Sequence, residues 1–368
     1  MALKYKQSII DYNAVSYVSE DTEIITEVSS VIDCALGTNP FGHTDLLNRI
    51  EPEQLRNISL YPEYPYNALK DSIIDYWSGS AALNRKNIQI TNGSINILIN
   101  INRLLVETGS RVLGCCPQFT DYACDVKAMG GIFDYVLLRE ENNYRYDADE
   151  IIKAIKPEYR ILYLDNPNNP TGQVMPLSDI RRILEASAEH DICVIIDEAY
   201  ADFISKEESS ISLISEFDNL VVTRSFSKGL GLAGMRVGYL VSSEEFGSYY
   251  IKGNAPFSIS NLASYMAQTS LKDEGFVKES IESIARVKKE ITDSLTKLKV
   301  AETDPRVSIM LLMCGDPEVN LFELFYRNGV ATERGADFTG LSKNSVRFKV
   351  PKDSQKVIER IMGIEKQL

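Results

Sequence analysis

The segment Ser225-Phe-Ser-Lys-Gly-Leu-Gly-Leu-Ala-Gly-Met-Arg-Val-Gly-Tyr239 gathers residue types that can do chemistry together. Lys228 has the hydroxyls of Ser225 and Ser227 before it and Gly229, Gly231 and Gly234 after it. Arg236 closes the run. Glycines let backbone approach a ligand, and hydroxyls with a guanidinium suit a phosphate. A lysine embedded among them can serve as a Schiff-base amine rather than a surface charge. A glycine-rich surface loop carrying an ordinary exposed lysine has the same composition. This stretch alone leaves the two readings even.

Three further polar clusters stand where strands are expected to end. Asp197 closes the apolar run Ile192–Ile196, so a carboxylate follows a buried strand. Asn168-Asn-Pro-Thr-Gly172 follows Arg160–Leu164, and Gly93-Ser94 lies between Ile88–Ile90 and the helical Ile95–Val106. Backbone N–H groups at a helix start favour an anion. Taken singly, each has a plain structural role as a cap or a turn. Together they fall in one order at strand ends, where parallel α/β sheets bind ligands.

The elements that would carry these groups alternate. Strand-like runs at Ile88–Ile90, Arg111–Cys115, Phe133–Leu137, Arg160–Leu164, Ile192–Ile196 and Leu220–Thr223 are separated by helical spacing at Ala68–Trp77, Ile95–Val106, Tyr122–Met129, Asp147–Ile155 and Ser178–Glu189, the last with Ser178 as its expected N-cap. Strands apolar throughout and alternating with helices predict a largely parallel sheet covered on both faces. Beyond about residue 255 the pattern becomes helices at Asn261–Leu271, Val277–Leu298, Leu321–Asn328 and Ser354–Ile364, with strands at Val307–Met313 and Val346–Val350. The expected division is an arm over 1–40, a large domain over 41–255, and a linker helix with a small α+β domain over 256–368.

The 368-residue chain has a formal net charge of -13, which disfavours non-specific binding to nucleic acid or an anionic membrane. Neither a signal peptide nor an apolar run long enough to span a bilayer is expected, which points to the cytoplasm. The six cysteines form no C-x-x-C pair and read as reduced and buried. With two histidines and no ligand spacing, no metal site is expected.

The residues resemble the fold-type I pyridoxal-phosphate enzymes, within the class I and II aminotransferases. The pieces that carry the likeness are Tyr61-Pro, Asn92-Gly-Ser, Pro117-Gln-Phe, Asn168-Asn-Pro-Thr-Gly, Asp197-Glu-Ala-Tyr, Ser225-Phe-Ser-Lys and Gly234-Met-Arg-Val-Gly. They span nearly the whole chain and are most similar to histidinol-phosphate aminotransferases and L-threonine-O-3-phosphate decarboxylases. The resemblance implies an α/β large domain with a mainly parallel seven-stranded sheet and a small α+β C-terminal domain. It makes Lys228 the lysine that binds pyridoxal 5′-phosphate covalently and shuttles a proton. Asp197 would pair with the pyridine nitrogen, Asn169 and Tyr200 with the phenolic oxygen, and Phe119 would stack on the ring. Gly93, Ser94 and Ile95 with Ser225, Ser227 and Arg236 would hold the phosphate.

Tyr61 would reach the phosphate of a neighbouring subunit, implying a homodimer with shared sites. Arg347 and Arg334 match substrate-anion arginines. One departure is Ile95-Asn96, where relatives carry acidic residues, which removes side-chain contacts but spares backbone ones. The leading expectation is an aminotransferase moving an amine from an amino acid or amino-phosphate to a 2-oxo acid. The alternative is a decarboxylase of the threonine-phosphate type, suggested by Phe338-Thr-Gly-Leu341 ahead of Val346-Arg347. A non-catalytic regulator would need a DNA-binding segment for which the chain has no spare length.

Overall fold

A computed structural model of the chain describes residues 5–11, 30–48 and 50–368. Tyr17, within the expected arm over 1–40, lies outside them. The central feature is a seven-stranded sheet in the order Ile88–Thr91, Gly238–Ser242, Leu220–Ser225, Cys193–Asp197, Tyr159–Asp165, Arg111–Cys116, Ile132–Leu137. Six strands run in one direction; Gly238–Ser242 runs antiparallel to both its neighbours. That strand was not expected from sequence, because its Gly and Tyr continue the glycine-rich loop without a break. Gly238 is required there: a Cβ would stand 2.7 Å from the Ser94 nitrogen.

The apolar runs are explained by burial on both sides. Val194 and Ile196 pack into one core with Leu162, Leu164 and Val222, whereas Ile195 packs into the opposite core with Ile161, Tyr163 and Val221. Alternate residues of a strand point to opposite faces, so a strand covered by helices twice must be apolar at every position. Each such side chain contributes roughly 1.5–3 kcal/mol relative to leaving it exposed. The helices Ser94–Leu105 and Thr120–Ala128 cover one face; Asn67–Trp77, Ala148–Ala154 and Leu177–Ala188 cover the other. Ser178 does not cap the last of these. Pro176 occupies the N-cap position with an extended backbone, and its ring fixes a φ that suits the chain's entry into the helix.

Beyond the sheet, Glu274–Ser294 runs along a four-stranded antiparallel sheet ordered Glu333–Arg334, Ser345–Lys349, Ile309–Met313, Lys299–Val300. Asp273 caps the helix by accepting from the Phe276 N–H at 3.2 Å. Lys288, on its inner face, is 2% exposed and donates to Thr303 Oγ1 and to the carbonyls of Asp304, Val307 and Ile309 at 2.7–3.0 Å. Burial lowers its pKa to about 7, against the opposing pull of the Asp304 charge. Lys288→Met should cost roughly 3 kcal/mol by stranding those acceptors, read as a lower denaturant midpoint with an unchanged slope. All six cysteines are free, with Cys124 and Cys193 only half-buried. Among the described residues no helix is long and apolar enough to cross a membrane.

Candidate active site

A cavity of about 290 Å³ opens beyond the carboxyl ends of the central strands. Asp197 ends the strand Cys193–Asp197 and is buried. Its Oδ1 accepts from Thr223 Oγ1 at 2.8 Å and from the Ala199 N–H at 3.2 Å, and its Oδ2 from the Tyr163 hydroxyl at 3.1 Å. Tyr163 is held in place by Tyr122 stacked on it at 3.8 Å. Burial raises the Asp197 pKa against these donors. A cation placed beside it would reverse that direction, since the charged carboxylate would gain a partner.

Asp165 was not singled out in the sequence. It ends the neighbouring strand, pairs in register with Asp197 and lines the same cavity. Its oxygens accept from the backbone N–H groups of Phe119 and Asn169 at 3.1 and 2.9 Å, from Asn168 Nδ2 at 2.9 Å and from the Tyr146 hydroxyl at 3.0 Å. Burial pushes its pKa up to about 6. Asp165 thus fixes two site residues, Phe119 and Asn169. The signal was available: Asp165 closes its strand just as Asp197 closes the next one.

On the same cavity, the helix Ser94–Leu105 begins at Gly93 with no capping side chain and no acidic residue in its first turn. Gly93 has φ +89°, and a Cβ there would come within 2.7 Å of Arg236 Nη2. Arg236 is itself left-handed at φ +53° and donates from Nη1 to the Ala233 carbonyl at 3.1 Å, with Ser227 Oγ at 3.4 Å. The Ser227 N–H donates to Ser225 Oγ at 3.1 Å. Asn96, the departure noted above, turns its amide onto Thr91 Oγ1 and Asn92 Oδ1. The backbone at Ser94 and Ile95 therefore faces the cavity beside a guanidinium, a donor set suited to a phosphate.

Lys228 also lines the cavity, its Nζ 5.1 Å from the Tyr200 ring centroid. The two segments that carry Asp197 and Lys228 are tied by the buried Arg224, which pairs with both Glu198 and Asp202. Sequence reasoning passed over Arg224, because nothing in the pattern separates it from an exposed strand-end cation. Arg347 is 1% exposed; it donates from Nη1 to Asn169 Oδ1 at 3.1 Å and from Nη2 to the Ala35 carbonyl at 2.9 Å. Arg334, like Arg347, is not among the residues that line the cavity; its guanidinium lies over the Phe322 ring at 4.6 Å. Tyr61 is 83% exposed, packs on Phe257 at 5.0 Å and is not among the residues lining the cavity.

An anion cradle at a helix start, an amine and a buried carboxylate on the wall of one cavity suit a flat, cationic ring bearing a phosphate arm. They define an α/β enzyme of the pyridoxal-phosphate type. The sequence model of the family "Aminotransferase class I and II" matches residues 30–363, and the chain belongs to that family. Its cofactor is pyridoxal 5′-phosphate and its reaction class is amino-group transfer.

Among similar proteins, the histidinol-phosphate aminotransferase of Halorubrum lacusprofundi is 32% identical over 72% of this chain and 71% of its own length. That of Methanococcus maripaludis is 29% identical over 87% and 85%. In fold, the crystal structure of the histidinol-phosphate aminotransferase from Clostridium acetobutylicum superposes with a TM-score of 0.81 at 25% identity, covering 92% of this chain and all of that one. A Thermus thermophilus aspartate aminotransferase shares the fold at a TM-score of 0.79.

Proposed function

We propose that this enzyme takes the amino group from a small amino acid or amino-phosphate and delivers it to a 2-oxo acid, in the manner of the histidinol-phosphate aminotransferases. The arrangement that supports the reading is Lys228 lining one cavity together with the Ser94–Arg236 cradle and Asp197. When bound, the cofactor supplies an electron sink for the carbon that loses its proton. With the cofactor bound, Lys228 Nζ would hold it and, once released, could move a proton at the donor carbon. Asp197 would pair with the pyridine nitrogen and favour its protonated form. Asn169 and Tyr200 would hydrogen-bond the phenolic oxygen, and Phe119 would cover one face of the ring. Arg347 receives the substrate carboxylate.

The N–H groups at Ser94 and Ile95, Ser225, Ser227 and Arg236 hold the phosphate. Arg236→Ala should weaken cofactor retention by about tenfold to a hundredfold, with a smaller effect on kcat in excess cofactor. Equilibrium dialysis of the cofactor checks it.

The same reading makes the protein a cytoplasmic homodimer. Tyr61, with the exposed Leu55, Ile58, Leu60, Tyr64 and Phe257 nearby in sequence or by ring contact, offers an apolar surface on which a second subunit can close. Residues 1–40, 41–255 and 256–368 then act as arm, cofactor-binding domain, and linker helix with small domain.

Purified enzyme incubated with amino donors, with and without 2-oxoglutarate, tests the function. Glutamate formed only with the acceptor supports transfer. Carbon dioxide released without an acceptor refutes it in favour of decarboxylation.

A further inference from the structure

The two-residue strand Glu333–Arg334 pairs antiparallel with Ser345–Lys349, placing Glu333 opposite Arg347. Residues opposite one another in an antiparallel pair share a face, and adjacent residues face opposite ways. Glu333 therefore meets Arg347, with Oε1 3.3 Å from Nη2 and its side chain 11% exposed. Arg334 is turned to the other face, over Phe322 and near Asp337. Arg347 touches the cavity wall through Asn169, and Glu333 lies close enough to Lys228 and Tyr200 for its charge to act on both. Two arginines expected at the substrate's anion are thus one arginine and one glutamate. Their formal charges cancel.

We propose that Glu333 is a specificity-determining residue that rejects phosphate-bearing amino donors and favours an amino acid with one carboxylate and a side chain ending in N–H donors. The proposal rests on the aminotransferase reading and narrows its donor. Arg347 can take one carboxylate on the edge that Glu333 leaves. A phosphate carries nearly two charges, and it would set them beside a buried carboxylate, with Arg334 turned to the strand's other face. Like charges in a buried subsite are a means of exclusion. A cationic or amide-bearing side chain would instead find an acceptor in Glu333.

The test is calorimetric titration of the cofactor-loaded wild-type enzyme with three amine-free carboxylates: 4-guanidinobutyrate, pentanoate and 3-phosphonopropionate. Glu333 predicts that the guanidino compound binds at least about tenfold tighter than the phosphono compound, with pentanoate between them. Glu333→Gln keeps the shape and removes the charge, and should bring the three within about threefold of one another. Phosphonopropionate binding as tightly as guanidinobutyrate to the wild type overturns the proposal, and so does a ranking unchanged by Glu333→Gln. Failure of all three to bind at millimolar concentration also counts against it. The wild-type ranking stands as a test even if the variant does not fold. An error in the aminotransferase reading would show separately, as no change in the cofactor's spectrum with any amino donor.

Discussion

Lys228→Ala is expected to lower kcat by at least ~10³-fold, since it removes both the covalent attachment and the group that moves the proton. The protein should stay folded. Lys228 lies at the cavity wall, outside the two apolar cores that flank the sheet. Added pyridoxal phosphate should still bind, through the cradle at Ser94 and Arg236, but without the visible absorption of a Schiff base. Spectra and turnover measured on the same preparation check both halves. Absorption retained in the variant would mean that another amine holds the cofactor.

Asp197→Asn should be nearly as damaging, at ~10²–10³-fold in kcat, the scale of removing one buried electrostatic partner from a developing charge. Asparagine preserves size: its one carbonyl oxygen can still accept from Thr223, and its NH2, standing where Oδ2 was, can donate to the Tyr163 hydroxyl oxygen. What it lacks is the charge that keeps a proton on the ring nitrogen. Burial raises the carboxyl's pKa in the unloaded protein, a shift that a cation placed beside it would oppose. The variant should therefore retain cofactor while losing rate, the reverse of Arg236→Ala. Comparing kcat with cofactor dissociation across the two variants separates the roles. A loss of retention equal in both would contradict this division.

Much of the site was legible because strand ends are positions a pattern can locate. Asp197, Asn169 and Gly93-Ser94 each follow an apolar run, and a parallel sheet gathers such ends at one edge. The residues that escaped depend on side-chain direction or on partners distant in sequence. Arg334 and Glu333 differ by one position, and in a strand one position exchanges the faces. Family likeness pointed to the arginine, whereas pairing with Arg347 selects the glutamate. Asp165 was hidden by the turn signal after it, and Arg224 by its outwardly ordinary place before Ser225. The antiparallel strand Gly238–Ser242 escaped because glycine and the run before it read as loop. Its presence is what brings Gly238 against the helix start at Ser94.

The account rests on one covalent attachment. Borohydride reduction of the cofactor-loaded wild-type enzyme, followed by peptide mass mapping, tests it most directly. The predicted result is a single cofactor adduct on the peptide containing Lys228. An unmodified Lys228, or adducts scattered over surface lysines with none there, would contradict it.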